Sequence, residues 1–153
     1  MTVEAATPPS GIRSRLASFD RLRQVMLVVA ILAIGLTAYL TYVHYSGIKP
    51  ACTAGQSCIK VQTSTWSKLD GVPVALIGLL GYIGIFVSLL APDRDEIRLA
   101  TLGMALAGFC FSAYLTDREI FSIKAICEEC VSSFVLVAIL LAGSVVRYVR
   151  GAP

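Results

Sequence analysis

The sequence predicts an all-α membrane protein: a bundle of four transmembrane helices with a short amphipathic helix in its first extracytoplasmic loop. Of its 153 residues, 56% are hydrophobic and only 15% are charged. A soluble domain of this length could not bury so much apolar surface, because its surface is large relative to its volume. The apolar residues are gathered in four runs, and the charged residues lie almost entirely between them. A lipid bilayer is therefore the expected surrounding of the chain.

Each apolar run is close to the length of about 20 residues that a helix needs to cross a bilayer. The runs cover residues 25–45, 72–91, 99–116 and 131–149, and Arg147 is the only Asp, Glu, Lys or Arg within them. The first run is too long for the apolar part of a signal peptide, and no small-residue cleavage site follows it. It is therefore expected to remain in the protein as a membrane anchor.

Positive charge is divided unequally between the two sides of the predicted bundle. Four spans place both termini on one side, and that side carries eight of the 13 lysines and arginines. Four of the eight lie in residues 1–24, a mostly polar segment that is predicted to form a disordered arm. Because cytoplasmic segments of membrane proteins are enriched in lysine and arginine, both termini are expected in the cytoplasm.

The same topology places four of the five cysteines outside the cytoplasm, where disulfides persist. Cys52 and Cys58 lie between the first two spans, and Cys127 and Cys130 lie where the last span begins. Cys110 lies within the third span and is interpreted as a small apolar residue. The agreement between cysteine placement and charge distribution indicates redox chemistry at one face of the membrane.

The two cysteine pairs have spacings that suit thiol–disulfide exchange. Cys127 and Cys130 form a CxxC motif, in which two sulfurs on one helical turn can make an easily reduced ring. A disulfide between Cys52 and Cys58 would close too short a loop to stabilise the fold by much, which favours a labile bridge. Electrons could then pass from the loop pair to the CxxC pair, and from there to an apolar oxidant such as a membrane quinone.

Other interpretations of these residues stay open. The four cysteines could bind zinc, although the C-x5-C spacing is longer than is usual for zinc ligands, and no metal is expected. They could also form static disulfides in a membrane subunit that is not an enzyme. His44, the only histidine, has no evident carboxylate partner and is interpreted as an interfacial residue. No basic stripe with interleaved aromatics indicates a nucleic-acid surface.

The loop between the first two spans is predicted to contain the short helix. One of residues 63–65 can act as its N-cap, and Trp66 and Leu69 are spaced to share one helical face. Gly71 is expected to end the helix, and Pro73 suits the first turn of the next span. Such a helix would lie in the membrane interface, with its tryptophan either in an interfacial aromatic belt or over the bundle.

The order and spacing of these residues resemble the vitamin K epoxide reductase family, in particular its bacterial members. The resemblance covers residues 25–150. Each motif is weak alone, but the combination is specific. It consists of Cys52, Cys58, Val61, Ser64, Trp66, Gly71, Val72, Pro73, Gly78 and the segment 126–134.

The resemblance implies a four-helix bundle around a quinone of the ubiquinone or menaquinone type, with the loop helix as a lid. Cys52 would exchange with a thioredoxin-fold partner, Cys58 would pass the electrons to Cys127, and Cys130 would lie next to the quinone. The candidate quinone-binding residues are Val61, Ser64, Trp66 and Phe134.

The activity that the resemblance implies is oxidation of a DsbA-like protein at the inner membrane of a bacterium, with the active cysteines outside the cytoplasm. Because the chain ends at Pro153 with no fused thioredoxin-like domain, the partner is expected to be a separate protein. Vertebrate members carry tyrosine at the position of Phe134, so vitamin K epoxide reduction is the alternative activity rather than the main expectation. The DsbB oxidases also have four spans and two cysteine pairs, but their CxxC lies in the first outer loop.

Overall fold

The computed structural model describes residues 10–49 and 57–151. A two-stranded antiparallel hairpin lies between the second and third helices, and a π-helical turn, Glu119–Ile123, continues the fourth. The α-helices and strands of the described residues are, in chain order, α1 (Ser10–Ser46), α2 (Ser57–Gln62), β1 (Lys68–Leu69), β2 (Val72–Pro73), α3 (Val74–Leu90), α4 (Asp95–Arg118) and α5 (Glu128–Gly151).

Three segments of the described chain are helical, long and apolar enough to cross a membrane. They are Asp20–Ser46 in α1, Asp95–Ile123 in α4 with its π-helical continuation, and Glu128–Gly151 in α5. The apolar helix α3 is shorter, with 17 residues. These helices agree with the predicted all-α membrane protein, while the count of four spans stays a prediction.

The four long helices form a ring in which α1 contacts α3 and α5, and α4 contacts the same two helices. Their inward faces bury a common apolar core, and their outward faces carry large exposed apolar side chains such as Val28, Leu80 and Val135. A soluble monomer rarely exposes so much apolar surface, whereas a bilayer would cover it. The core residues are Met26, Ala30, Ala33, Tyr82, Ile85, Leu89, Ala105, Val137 and Leu140.

The two ends of this ring differ in chemistry. The cysteine end consists of residues 57–73 and 119–130, where α3 and α5 begin. The loop end is the opposite end, where residues 91–94 connect α3 to α4 and where α5 finishes.

Arginine side chains cross-link the loop end. The Arg23 Nε donates a hydrogen bond of 2.7 Å to the carbonyl oxygen of Leu89, one of the last α3 carbonyls, which lack helical partners. Asp93 Oδ1 accepts hydrogen bonds from Arg98 Nε, at 3.1 Å, and from Nη2 of Arg147, which is only 2% exposed. Because a buried guanidinium is costly without a counter-charge, Asp93 fixes the connecting loop to α4 and α5.

Part of the N-terminal prediction is wrong. α1 begins at Ser10, so residues 10–24, expected in a disordered arm, are helical. Arg23, which the prediction placed in that arm, is bonded to the end of α3. Residues 1–9 lie outside the described part of the chain.

The short loop helix lies earlier in the chain than predicted. It is α2, whereas Trp66 belongs to a 3₁₀ turn and Leu69 to β1. The cause is the dipeptide Asp70–Gly71, whose φ values of 52° and 86° are both positive, as a type I′ hairpin turn requires. This turn pairs Leu69 with Val72, so the segment forms a hairpin instead of a helix.

Candidate active site

The CxxC cysteines lie where the chain enters α5. Cys127 immediately precedes the helix and is completely buried, while Cys130 lies in the first turn and is partly exposed. The Val131 N–H donates a hydrogen bond of 3.0 Å to the Cys127 carbonyl, which closes that turn. Cys130 packs against the buried cluster that contains Cys127. The motif therefore presents one sulfur toward the bundle interior and keeps the other directly behind it.

A buried carboxylate that the sequence analysis missed faces this motif. Glu119, the first residue of the π-helical turn, is 3% exposed, and its Oε2 accepts a hydrogen bond of 3.1 Å from the Cys127 N–H. Glu119 and Cys130 also line the same cavity. The turn ends at Lys124, whose left-handed conformation reverses the chain and brings Cys127 back to Glu119.

Next to Cys130 the helices enclose an apolar cavity of about 570 Å³. This volume lies within the range of about 300–1,000 Å³ that is typical of small-molecule sites. Its lining is mainly apolar, with a few polar groups. The residues that the long helices contribute are Thr37, Leu40, Val74, Ala75, Ile77, Gly78, Gly81, Tyr82, Ile85, Met104, Ala107, Gly108, Phe111, Ser112, Leu115, Thr116, Cys130, Ser133 and Val137.

A hydrogen bond across the cavity wall connects α3 to α5. The Tyr82 hydroxyl donates to the Ser133 carbonyl oxygen at 3.0 Å and lies 2.9 Å from the Ser133 hydroxyl. Ser133 is three residues after Cys130, so both face the cavity from the first turns of α5. This contact fixes the rotation of α5 and with it the direction of the Cys130 side chain.

The loop between α1 and α3 covers the cavity through Trp66, which is held by a cationic side chain of α4. The guanidinium carbon of Arg118 lies 5.1 Å from the Trp66 ring centre and 5.0 Å from that of Tyr114. The two rings lie 6.4 Å apart with an angle of 72° between their planes. Trp66 lines the cavity and is also 42% exposed, so it lies over the bundle, while its place in an interfacial belt stays a prediction.

The structure brings most of the predicted pocket residues together. Val61, Ser64 and Trp66 line the same cavity as Cys130. Phe134 is not among the lining residues of the described chain. Its ring instead stacks on Phe109, with the ring centres 5.2 Å apart and the planes at 27°. Phe134 therefore supports the α4–α5 contact beside the cavity.

The loop cysteines are only partly within the described chain. Cys52 lies outside the described residues, and Cys58 belongs to α2 through its backbone. Val61, three residues after Cys58, is buried against Cys127. α2 also packs against the π-helical turn that carries Glu119. The helix that contains Cys58 is thus in contact both with Cys127 and with the turn that carries Glu119.

The other residues singled out in the sequence lie away from the cavity. Cys110 is exposed on α4, and the His44 ring packs edge-on against Tyr45, with ring centres 5.8 Å apart. The described residues hold no cluster of three or more His, Cys, Asp or Glu side chains that could bind a metal. The zinc alternative also requires the side chains of Cys52 and Cys58, which lie outside the described part of the chain.

A comparison with protein families agrees with the fold and the site. The sequence model of the vitamin K epoxide reductase family matches residues 24–145, a range that includes all four cysteines of the two pairs and the whole cavity wall. Hydrophobic helices of membrane-spanning length enclose the cavity, and a CxxC sulfur lies in its wall. The chain therefore belongs to the vitamin K epoxide reductase family and is a membrane oxidoreductase.

Proposed function

We propose that this protein oxidises the dithiol of an extracytoplasmic, DsbA-like thioredoxin-fold protein and transfers the two electrons to a membrane quinone, which supports disulfide bond formation. The observation that carries the proposal is the position of Cys130. It lies in the wall of an apolar cavity of about 570 Å³ and packs against Cys127 behind it. A dithiol in that position can be oxidised by a molecule dissolved in the membrane.

The cavity suits a quinone head group of the ubiquinone or menaquinone type. Its walls are apolar, the indole of Trp66 and the ring of Phe111 offer flat surfaces, and the hydroxyls of Tyr82 and Ser133 supply polarity. Pockets for such molecules combine apolar walls with a few fixed polar groups. When bound, a quinone would accept two electrons and two protons. The residues that would hold the quinone from the cysteine end are Val61, Ser64 and Trp66.

The proposed electron path runs from the partner to Cys52 and Cys58, and from there to Cys127 and Cys130. Each step is an attack of a thiolate on a disulfide, in which one dithiol becomes oxidised and the other disulfide becomes reduced. Support comes from α2, where Cys58 lies one turn before Val61, the residue that packs against Cys127. A loop movement of moderate size would then be sufficient for exchange.

The proposed topology has four spans, with α3 as the second, and places the cysteine end outside the cytoplasm. Seventeen residues of α3 cover only about 25 Å of the roughly 30 Å hydrocarbon layer, so β2 would complete the crossing. The loop end carries Arg23, Arg94, Arg98, Arg147 and Arg150. Because cytoplasmic loops are rich in such residues, that end and both termini would face the cytoplasm of a bacterial inner membrane.

The test is quinone reduction by the purified protein in lipid nanodiscs, with a reduced thioredoxin-fold protein as electron donor and ubiquinone-1 as acceptor. We expect one quinone to be reduced for each disulfide formed in the donor. Cys130→Ala should abolish the reaction, whereas the matched control Cys110→Ala should retain the wild-type rate, because Cys110 is exposed on α4 away from the cavity.

Three results would contradict the proposal. They are the absence of quinone reduction by the wild type, an unchanged rate in Cys130→Ala, and stoichiometric zinc in the purified protein. Consumption of vitamin K epoxide in place of the quinone would instead support the alternative enzymatic activity.

A further inference from the structure

Glu119 is the one acidic side chain that is buried at the cysteine end of the described chain. Its Oε2 accepts the Cys127 N–H at 3.1 Å, and it lines the cavity together with Cys130, which packs against Cys127. A carboxylate has two oxygens that can accept several hydrogen bonds. Accepting one backbone N–H therefore does not explain why a charged group is buried here. An amide side chain could accept the same N–H without that charge.

The carboxyl group of Glu119 and the Cys130 thiol are two acidic groups in one largely buried site. Two negative charges so close together repel each other, so the site strongly favours a single charge. That charge can be on the carboxylate, with a neutral thiol, or on the sulfur, with a neutral carboxylic acid. The N-terminus of α5 favours a negative charge on either group, and the hydrogen bond from the Cys127 N–H favours that charge on the carboxylate.

The other ionisable side chains around Glu119 are either in contact with other groups or exposed. On its own segment, Arg118 stacks between Trp66 and Tyr114, and Lys124 is exposed. On the neighbouring elements, Lys60 of α2 and Glu128 of α5 are exposed, and Glu129 is partly exposed. The two CxxC thiols remain, and of these Cys130 is the one that lines the cavity together with Glu119.

We propose that Glu119 is a catalytic residue that accepts the proton of the Cys130 thiol and passes it toward the cavity during quinone reduction. This inference rests on the proposed function. As the Cys127–Cys130 disulfide forms, the two thiols lose two electrons and two protons. The quinone takes up the two electrons and the two protons and becomes a quinol. Glu119 holds the first of these protons at its carboxylate while the Cys130 sulfur becomes nucleophilic.

The first test compares the pH profiles of kcat for ubiquinone-1 reduction. With Glu119 present the profile should be flat around neutral pH, because the proton acceptor is built in. Glu119→Gln keeps an acceptor for the Cys127 N–H but removes the base. It should lower kcat at pH 7 by about 100-fold, the lower end of the range for general acid–base catalysis, and make kcat rise with pH.

Two variants serve as controls for this experiment. Glu119→Asp retains the carboxylate and should keep the flat profile at a reduced rate. Asp117→Asn removes an exposed acid two residues away and should match the wild type. A purely structural role of Glu119 would lower the rate by the same factor at every pH in both Glu119 variants, and that parallel result would overturn the inference.

The second test requires no quinone. In a Cys127→Ala background, the rate of Cys130 alkylation by N-ethylmaleimide is followed by peptide mass spectrometry. Only the thiolate reacts, so below its pKa a thiol without a base reacts about tenfold faster for each unit by which the pH is raised. We expect this steep dependence in Glu119→Gln and a shallow one when Glu119 is present.

The two tests separate failure of this inference from failure of the proposed function. Equal slopes in the alkylation experiment would overturn the role of Glu119 whatever the electron acceptor. A wild type that reduces no quinone, combined with the shallow alkylation profile, would refute quinone reduction but leave the proton transfer between Glu119 and Cys130 standing.

Discussion

The two ends of the bundle bury charge in opposite ways. At the loop end, Asp93 lies between Arg98 and Arg147, so the buried guanidinium has a counter-charge. At the cysteine end, the buried carboxylate of Glu119 accepts a backbone N–H of the CxxC motif, and none of the salt bridges among the described side chains involves it. A paired charge stabilises one structure, whereas a buried acid beside another acid is a place where protons move. The comparison indicates which end holds the fold and which end reacts.

The largest effect on stability is expected from removing the counter-charge at the loop end. Asp93→Asn leaves Arg147 buried without a negative partner and should destabilise the protein by about 3 kcal/mol, the lower end for a broken buried pair, since Asp93 is partly exposed. Asp95, which is 78% exposed beside the same Arg98, provides the matched control. Asp95→Asn should cost less than about 1 kcal/mol.

Thermal unfolding in detergent, followed by circular dichroism, measures both changes. The double variant Asp93→Asn/Arg147→Met should recover much of the lost stability, because no buried charge remains. Equal stabilities for Asp93→Asn and Asp95→Asn would mean that the loop end is not held by its buried pair.

A smaller effect is expected from the contact that holds the loop over the cavity. Arg118→Gln removes the cation between Trp66 and Tyr114, a contact worth about 1 kcal/mol, which corresponds to about a fivefold rise in the quinone KM. Because Trp66 is the only tryptophan, its fluorescence should report the loosened loop directly.

Lys124→Gln is the matched control for this change, since Lys124 is an exposed cation at the same end. It should alter neither the KM nor the fluorescence. If Arg118→Gln also leaves both unchanged, the loop is held by its hairpin and not by the cation.

The same pair at the loop end should also make the stability depend on pH. Burial alone would raise the pKa of Asp93, but the guanidinium groups of Arg98 and Arg147 overcome it and hold the pKa below its ordinary value. A lowered pKa in the folded state means that this stabilisation is complete above about pH 4 and is lost as the pH falls through the lowered pKa. The stability to unfolding, measured from about pH 2 to about pH 6 where aspartate titrates, should show this loss in the wild type and not in Asp93→Asn.

Much of the fold could be predicted because the signals are local. Long apolar runs identify α1, α4 and α5, and the CxxC spacing already indicates redox chemistry at the start of α5. The hairpin was also readable, since Asp70–Gly71 between Leu69 and Val72 is a strong turn signal that the helical interpretation passed over.

The rest of the site depends on contacts that a sequence does not display. Both Ser133 and Phe134 lie about one turn after Cys130, and only the rotation of α5 against Tyr82 decides that Ser133 faces the cavity. Glu119 lies just beyond the apolar run of the third predicted span, where an acidic residue is ordinarily an unremarkable part of a loop. Its burial follows from the chain reversal at Lys124.

Glu119 and Cys127 are eight residues apart in the chain, and the π-helical turn after α4 lies between them. Such a turn contains one residue more than regular α-helix needs. Deleting a single residue from its middle would restore ordinary helix and rotate everything beyond the deletion by about 100° about the axis. The carboxylate and the sulfurs would then point in different directions, although every functional side chain would still be present. Length in this connecting segment therefore matters as much as identity, and relatives that keep this chemistry are expected to keep its residue count.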